Sequence, residues 1–170
     1  LNGNRYATFH QLGKEQAQKL HEDDRLYDVG DTIFIGSTPL GNSSLSLYLR
    51  EYHDNALSMY PAIGNVKEGR LPEEAIEIAL SEDALQYLGL DAVIGDTVSL
   101  DLSVSVMDGS LSELEYSADF VLTGILESSY IGYASGTVEG IVGEGTAEEL
   151  LPEEYLLYSC LLYTSPSPRD

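Results

Sequence analysis

Apolar and polar residues alternate most strictly between Asp96 and Val106. Val98, Leu100, Leu102, Val104 and Val106 share one face, while Thr97, Ser99, Asp101, Ser103 and Ser105 share the other. A two-residue period of this kind predicts a strand that covers a core on one side only. Asp108-Gly109 follows as a turn signal. Tyr116, Ala118, Phe120 and Leu122 resume the alternation and lead into an apolar run over 121–126. Residues 96–127 therefore read as a long antiparallel hairpin with a loose tip.

Residues 77–80 read as a short strand, and Ser81 then caps a helix over 82–88 by offering its hydroxyl to a free backbone N–H of the first turn. Glu82 and Asp83 suit the positive end of the helix dipole. Ala84, Leu85 and Leu88 set its inward face. Gly89 is placed for the left-handed residue that ends the helix, with Leu90 folding back on Leu85. Nearer the N-terminus, 6–9 reads as a strand, and a helix of about ten residues starts at Lys14 with Ala17 and Leu20 turned inward. Strand pieces at 26–29 and 32–35 are expected to break at Gly30-Asp31. Leu45, Leu47 and Leu49 alternate with polar neighbours in a further strand.

The stretches 39–44 and 64–72 read as loops, and 128–145 shows no period. Residues 146–151 suggest a short helix capped by Thr146, and a strand begins near 155–158. These elements predict an α+β (mixed α/β) fold of two small lobes, mainly antiparallel sheet with short helices packed on one face. The first lobe, strand–helix–strand, spans 1–65. The second spans 66–159, with helix 82–88 and hairpin 96–127.

Composition changes this picture in two ways. The chain carries 29 Asp and Glu against 8 Lys and Arg, a formal charge of −21, with an ordinary 43% of apolar residues. That surface repels nucleic acid, whose binding needs clustered Lys and Arg, and it repels anionic lipid headgroups. Cations and cationic peptides are attracted. Second, the last eleven residues, 160–170, back-translate to the mosaic end and adapter of a transposase-based sequencing library. They are expected to be foreign, with the natural chain cut near Ser159 and the single cysteine, Cys160, in the foreign part. No stretch offers the roughly 20 apolar residues that a membrane-crossing helix takes.

Candidate chemistry is sparse. His10, His21 and His53 show no metal-ligand spacing. The acidic runs 22–24, 73–74 and 153–154 lack the spacing and central glycine of a calcium loop. Gly143-Glu-Gly-Thr146 precedes a helix, but Glu144 opposes a bound phosphate. Nothing supplies a nucleophile with a base and an orienting acid. The expectation is therefore a non-enzyme without cofactor, metal or catalytic residues. Among the 12 tyrosines, Tyr130 and Tyr133 lie in a Gly/Ser-rich stretch of contact-surface character and are the candidate partner contacts; Tyr48, Tyr52 and Tyr60 form an earlier group.

One series of motifs spans most of residues 1–159. It begins with 66–72, Val-Lys-Glu-Gly-Arg-Leu-Pro, and Glu77-Ile-Ala-Leu-Ser81. Leu85-x-x-Leu88-Gly-Leu90 and Ile94-Gly-Asp-Thr-Val98 follow, and 120–126, Phe-Val-Leu-Thr-Gly-Ile-Leu, closes it. In this order they resemble the MacB-like periplasmic core domain of FtsX-type ABC transporter permeases; Tyr6-Ala-Thr-Phe9, the helix with Glu15-Gln16-Ala17, and Asp28-Val29-Gly30 look like its opening strand–helix–strand. The long tip at 107–115 departs from that pattern. The resemblance implies a domain outside the membrane, between the first transmembrane helix and three later ones. Its parent would be a dimeric cell-membrane permease driven by a cytoplasmic ABC ATPase subunit. The domain itself would do no chemistry and would transmit ATP-driven motion to a substrate or partner outside. Peptide or antibiotic export, lipoprotein release and cell-wall hydrolase control are the family's uses, with an extracellular protein as a contact; the acidic surface leans towards a cationic peptide. Two rivals stay open: a stand-alone secreted or surface binding module, and a hydrolase with its catalytic residues elsewhere in the parent.

Overall fold

The computed structural model describes residues 5–23, 28–54, 56–57, 64–106, 112–128 and 135–164. Its strands are β1 (Arg5–Leu12), β2 (Asp28–Pro39), β3 (Ser46–Asp54), β4 (Val66–Gly69), β5 (Glu77–Ser81), β6 (Thr97–Val106), β7 (Ser112–Leu126), β8 (Thr137–Val142) and β9 (Tyr158–Thr164). Three short helices, α1 (Lys14–His21), α2 (Glu82–Tyr87) and α3 (Thr146–Leu150), and one 3₁₀ turn, Glu153–Tyr155, complete it.

All nine strands belong to one sheet. Six of them form a closed, barrel-like ring in the order β2-β3-β8-β5-β7-β6 and back to β2. The β3–β8 and β5–β7 pairs are parallel and the other pairs of the ring antiparallel. β9 and β1 extend the sheet from β2, and β4 lies beside the end of β7. This corrects the expected two lobes with helices on one face. The interior of the ring joins Ile33, Ile35, Leu47 and Leu49 to Ile78, Leu80, Phe120 and Leu122 in one buried cluster, so apolar side chains from both halves of the chain share a core. Nor do the helices share a face: α1 lies against β1, β2 and β9, α2 against β5, and α3 against β2.

The hairpin is β6 and β7, paired in unbroken register from Thr97↔Val121 to Val106↔Ser112. Its even-numbered residues Val98, Leu100, Leu102 and Val104 are buried, as the alternation requires. α2 has the expected ends. Ser81 Oγ accepts from the Ala84 N–H at 3.1 Å, Gly89 is left-handed with φ 72°, and the Leu90 N–H reaches the Leu85 carbonyl at 2.9 Å. Ser81→Ala should therefore cost about 1 kcal/mol, read as a lower urea midpoint with unchanged slope.

Other expectations shift. β2 runs through Gly30-Asp31 unbroken, paired with β3 there; the glycine serves close packing instead of a break, since a side chain at 30 would collide with the Ala56 backbone. The loop expected over 64–72 holds β4, and 128–145 holds β8. Thr146 does not cap α3. Its hydroxyl donates to the Gly143 carbonyl at 2.6 Å and accepts from the Ile76 N–H at 2.8 Å. β9 joins Tyr158 and Ser159 to residues 160–164 of the tail, and sits between β1 and β2 with Cys160 buried.

Ring closure depends on β2 and β6, which meet at Ser37↔Ser103. Gly36, at φ 152°, lets the chains approach: a Cβ there would lie 3.1 Å from Leu102 Cβ and 3.2 Å from the Ser103 carbonyl. Tyr116 spans the seam by donating its hydroxyl to the Ile35 carbonyl at 2.5 Å.

Candidate functional site

Three separate motifs of the sequence converge on residues 121–124 of β7. Thr123 is the extra residue of a bulge, since Ile78 faces Leu122 while Ala79 faces Gly124. A bulge re-aims the chain and frees polar groups for other partners. Here the Arg70 N–H donates to the Thr123 carbonyl at 2.9 Å, and the Thr123 hydroxyl reaches the Arg70 carbonyl at 3.2 Å. Gly69 pairs with Gly124 across β4 and β7, and both backbones lie where a Cβ would overlap a neighbouring carbonyl. The turn at Gly95-Asp96 clasps the next residue, with the Gly95 N–H on the Leu122 carbonyl at 2.8 Å and the Leu122 N–H on the Asp96 carbonyl at 2.9 Å. Glycine–arginine, glycine–aspartate and threonine–glycine thus form one backbone junction.

Arg70 anchors this junction. Its guanidinium makes a two-pronged pair with Glu77, at 2.9 and 2.8 Å, the fork geometry that suits a carboxylate. Glu77 also accepts the Glu73 and Glu74 N–H groups at 2.9 and 3.1 Å. The Arg70 bond first, and these amides with it, hold the Glu77 carboxyl at about 2, against an ordinary 4.5. The depressed value means that Glu77 stabilises the fold fully above 4.5 and ceases to do so as pH falls through 2. A carboxyl-resolved NMR titration should find its midpoint near 2, and Arg70→Leu should return it towards 4.5.

A second polar assembly lies at one end of the ring, and sequence reasoning missed it. Glu51 is 1% exposed. Its carboxylate accepts the Gly145 N–H at 3.0 Å and the Ala147 N–H at 2.8 Å, and His53 Nε2 donates to it. Burial by itself would raise the Glu51 carboxyl, but the His53 and backbone hydrogen bonds outweigh it and the net shift is downward. His53 is pushed down by burial and up more strongly by Glu51, Glu144 and Asp31, so it holds its proton above the ordinary range. Gly145 of the Gly143-Glu-Gly-Thr146 turn and Ala147 just after it do bind an anion through their amides; it is the chain's own Glu51.

Opposite His53 across β2 and β3 stands Asp31. His21 Nε2 lies 2.8 Å from its carboxylate, and the Cys160 thiol donates to it at 3.0 Å. Burial and the Asp31 carboxylate push the thiol up, so it stays protonated and is no nucleophile. These histidine–carboxylate pairs tie β2, β3, α1 and α3 together. Among the described residues no group of three His, Cys, Asp or Glu side chains is placed to hold a metal ion.

Beside this end, α1 and the chain after α3 enclose a groove of about 880 Å³. Lys14 and Lys19 of α1 line it, as do Glu148, Leu151, Glu154 and Leu156. Tyr130, Tyr133 and Tyr60 lie outside the described residues. Tyr48 packs against Phe34 with the rings tilted by 37° and their centroids 5.5 Å apart, and Arg50 lies over both rings and pairs with Glu139. Among the described residues no helix is long and apolar enough to cross a membrane.

No family model matches the sequence, and no curated protein matches it. Solved structures do. The periplasmic region of MacB from Actinobacillus actinomycetemcomitans superposes with a TM-score of 0.56 at 14% identity, over 95% of this chain and 69% of that one. A domain of a protein described as a permease, from Porphyromonas gingivalis, superposes with a TM-score of 0.54 at 13% identity, over 95% of this chain and 74% of that one. The chain has the fold of these domains.

Proposed function

We propose that a chain with the fold of the MacB periplasmic region is the extracytoplasmic domain of an ABC transporter permease, working as an interaction and transmission module. The observation that carries this reading is the likeness over 95% of the chain to the periplasmic region of MacB and to a domain of a protein described as a permease. The motif junction on β7 supports it. It clamps β4, β5, β7 and the turn before β6 through backbone contacts, and a stiff sheet passes a displacement at one end to the other. In this reading a cytoplasmic ATPase subunit drives the membrane part. The domain relays that motion to an external substrate or partner, in peptide or antibiotic export, lipoprotein release or control of a cell-wall hydrolase. The parent works as a dimer.

Orientation tests the proposal. A cysteine placed at exposed Ser99 of the parent permease is expected to react with a membrane-impermeant maleimide on intact spheroplasts. Labelling that appears only after lysis overturns the reading.

A further inference from the structure

Where the ring closes, the described residues pair β6 fully on one edge and only in part on the other. β7 covers one edge of β6 along all ten of its residues. On the opposite edge, among the described residues, β2 meets β6 at Ser37↔Ser103 alone. Alternate N–H and C=O groups of residues 97–102 therefore point away from β7 with no strand of the described residues beside them, which is the condition for strand addition. At this place β2 and β6 part around a cleft of about 650 Å³, reached by Ser37, Thr38, Asp101, Ser103, Glu115 and Ser117.

The occupant is selected by charge. Between residues 97 and 126 the sequence has five carboxylates and no Lys or Arg. On the outer face of the hairpin, Asp119, Asp101, Glu115 and Glu113 are exposed, each facing a serine across the two strands. Ser99 and Ser117 donate to Asp119 and Asp101 at 2.6 and 2.5 Å. An added strand whose side chains alternate would place every second residue beside this row. A second copy would bring the same carboxylates against it and be repelled.

We infer that the free edge of β6 accepts an extended peptide segment with a basic residue at every second position, paired by its backbone and held in register by Asp101 and Glu115. This rests on the reading of the chain as an extracytoplasmic interaction domain and names its partner chemistry. Peptide binding by the purified chain is read apart from membrane orientation, so failure here is distinguishable from failure of that reading.

Binding of a fluorescent nine-residue peptide of alternating lysine and valine to the purified 170-residue chain tests it. Two further forms carry backbone N-methyl groups, one on the lysines and one on the valines. Neighbouring residues of a strand present their amides to opposite edges, so strand addition predicts a loss of roughly tenfold or more in one N-methylated form and little change in the other. The double variant Asp101→Asn, Glu115→Gln, altered at two exposed positions, should weaken the unmodified peptide about fivefold or more at low salt. Equal affinity or equal loss in the two N-methylated forms, or no binding of the unmodified peptide, overturns the inference.

Discussion

Gly124→Ala is expected to destabilise the chain by more than about 4 kcal/mol, beyond the range of ordinary substitutions. The added Cβ would overlap the Arg70 carbonyl oxygen and crowd its carbonyl carbon at 3.1 Å. Backbone cannot rotate out of the way as the end of a long side chain can. Relief requires β4 to leave β7, which also strains the Arg70–Thr123 pair of hydrogen bonds. Urea unfolding of the variant should show the loss, and amide exchange should quicken first in 66–70 and 121–126. A loss below about 1 kcal/mol, the size of an ordinary surface change, would mean that the two backbones are not in contact.

Glu51→Ala should cost about 3–5 kcal/mol, the usual result of removing one partner from a buried, hydrogen-bonded charge pair. The variant leaves the Gly145 and Ala147 N–H groups without their acceptor and His53 without its anion. Glu51→Gln retains a carbonyl oxygen for one of these donors and should lose less. The pair also sets a pH window. Glu51, with its carboxyl lowered, contributes fully above 4.5, and that contribution fades as pH falls through its folded value. His53, raised, contributes fully below 6.5 and fades as pH rises through its folded value. Wild-type stability should therefore exceed that of Glu51→Ala most between these two limits, and the difference should shrink on either side.

The physics of these two sites also explains how far the sequence could be read. The hairpin was legible because one face of β6 is apolar at every second residue, and α2 because its caps are local hydrogen bonds. β8 was hidden because Gly140 interrupts it. That glycine is required where the side chains of Leu47, Leu49 and Leu80 converge on the strand, so tight packing produced a residue that reads as loop. β4 was hidden for the opposite reason: three of its four residues are exposed, and a short wet edge leaves no period.

Glu51 carried a usable signal. Leu45, Leu47 and Leu49 alternate inward, and the next position on that face is Glu51. Continuing the period predicts a buried carboxylate, which demands donors, and Gly145 and Ala147 at the start of α3 supply them from 94 and 96 residues away. Closure of the ring was beyond reach. It depends on one strand pair and on Gly36, neither of which leaves a periodic trace. The motif series was legible as order along the chain; only the fold shows that Gly69, Gly95 and Gly124 meet at β7.

The most direct test of the permease reading is the parent DNA, read past both ends of the sequence by a method that uses no transposase adapter. The account predicts an apolar segment of about 20 residues upstream, a block of three such segments downstream and a neighbouring ATPase gene, with the frame leaving the present sequence after Ser159. An uninterrupted frame without apolar spans, ending in a stop codon, would contradict it and leave a stand-alone binding module; a frame that continues through Cys160 to Asp170 would make the tail native.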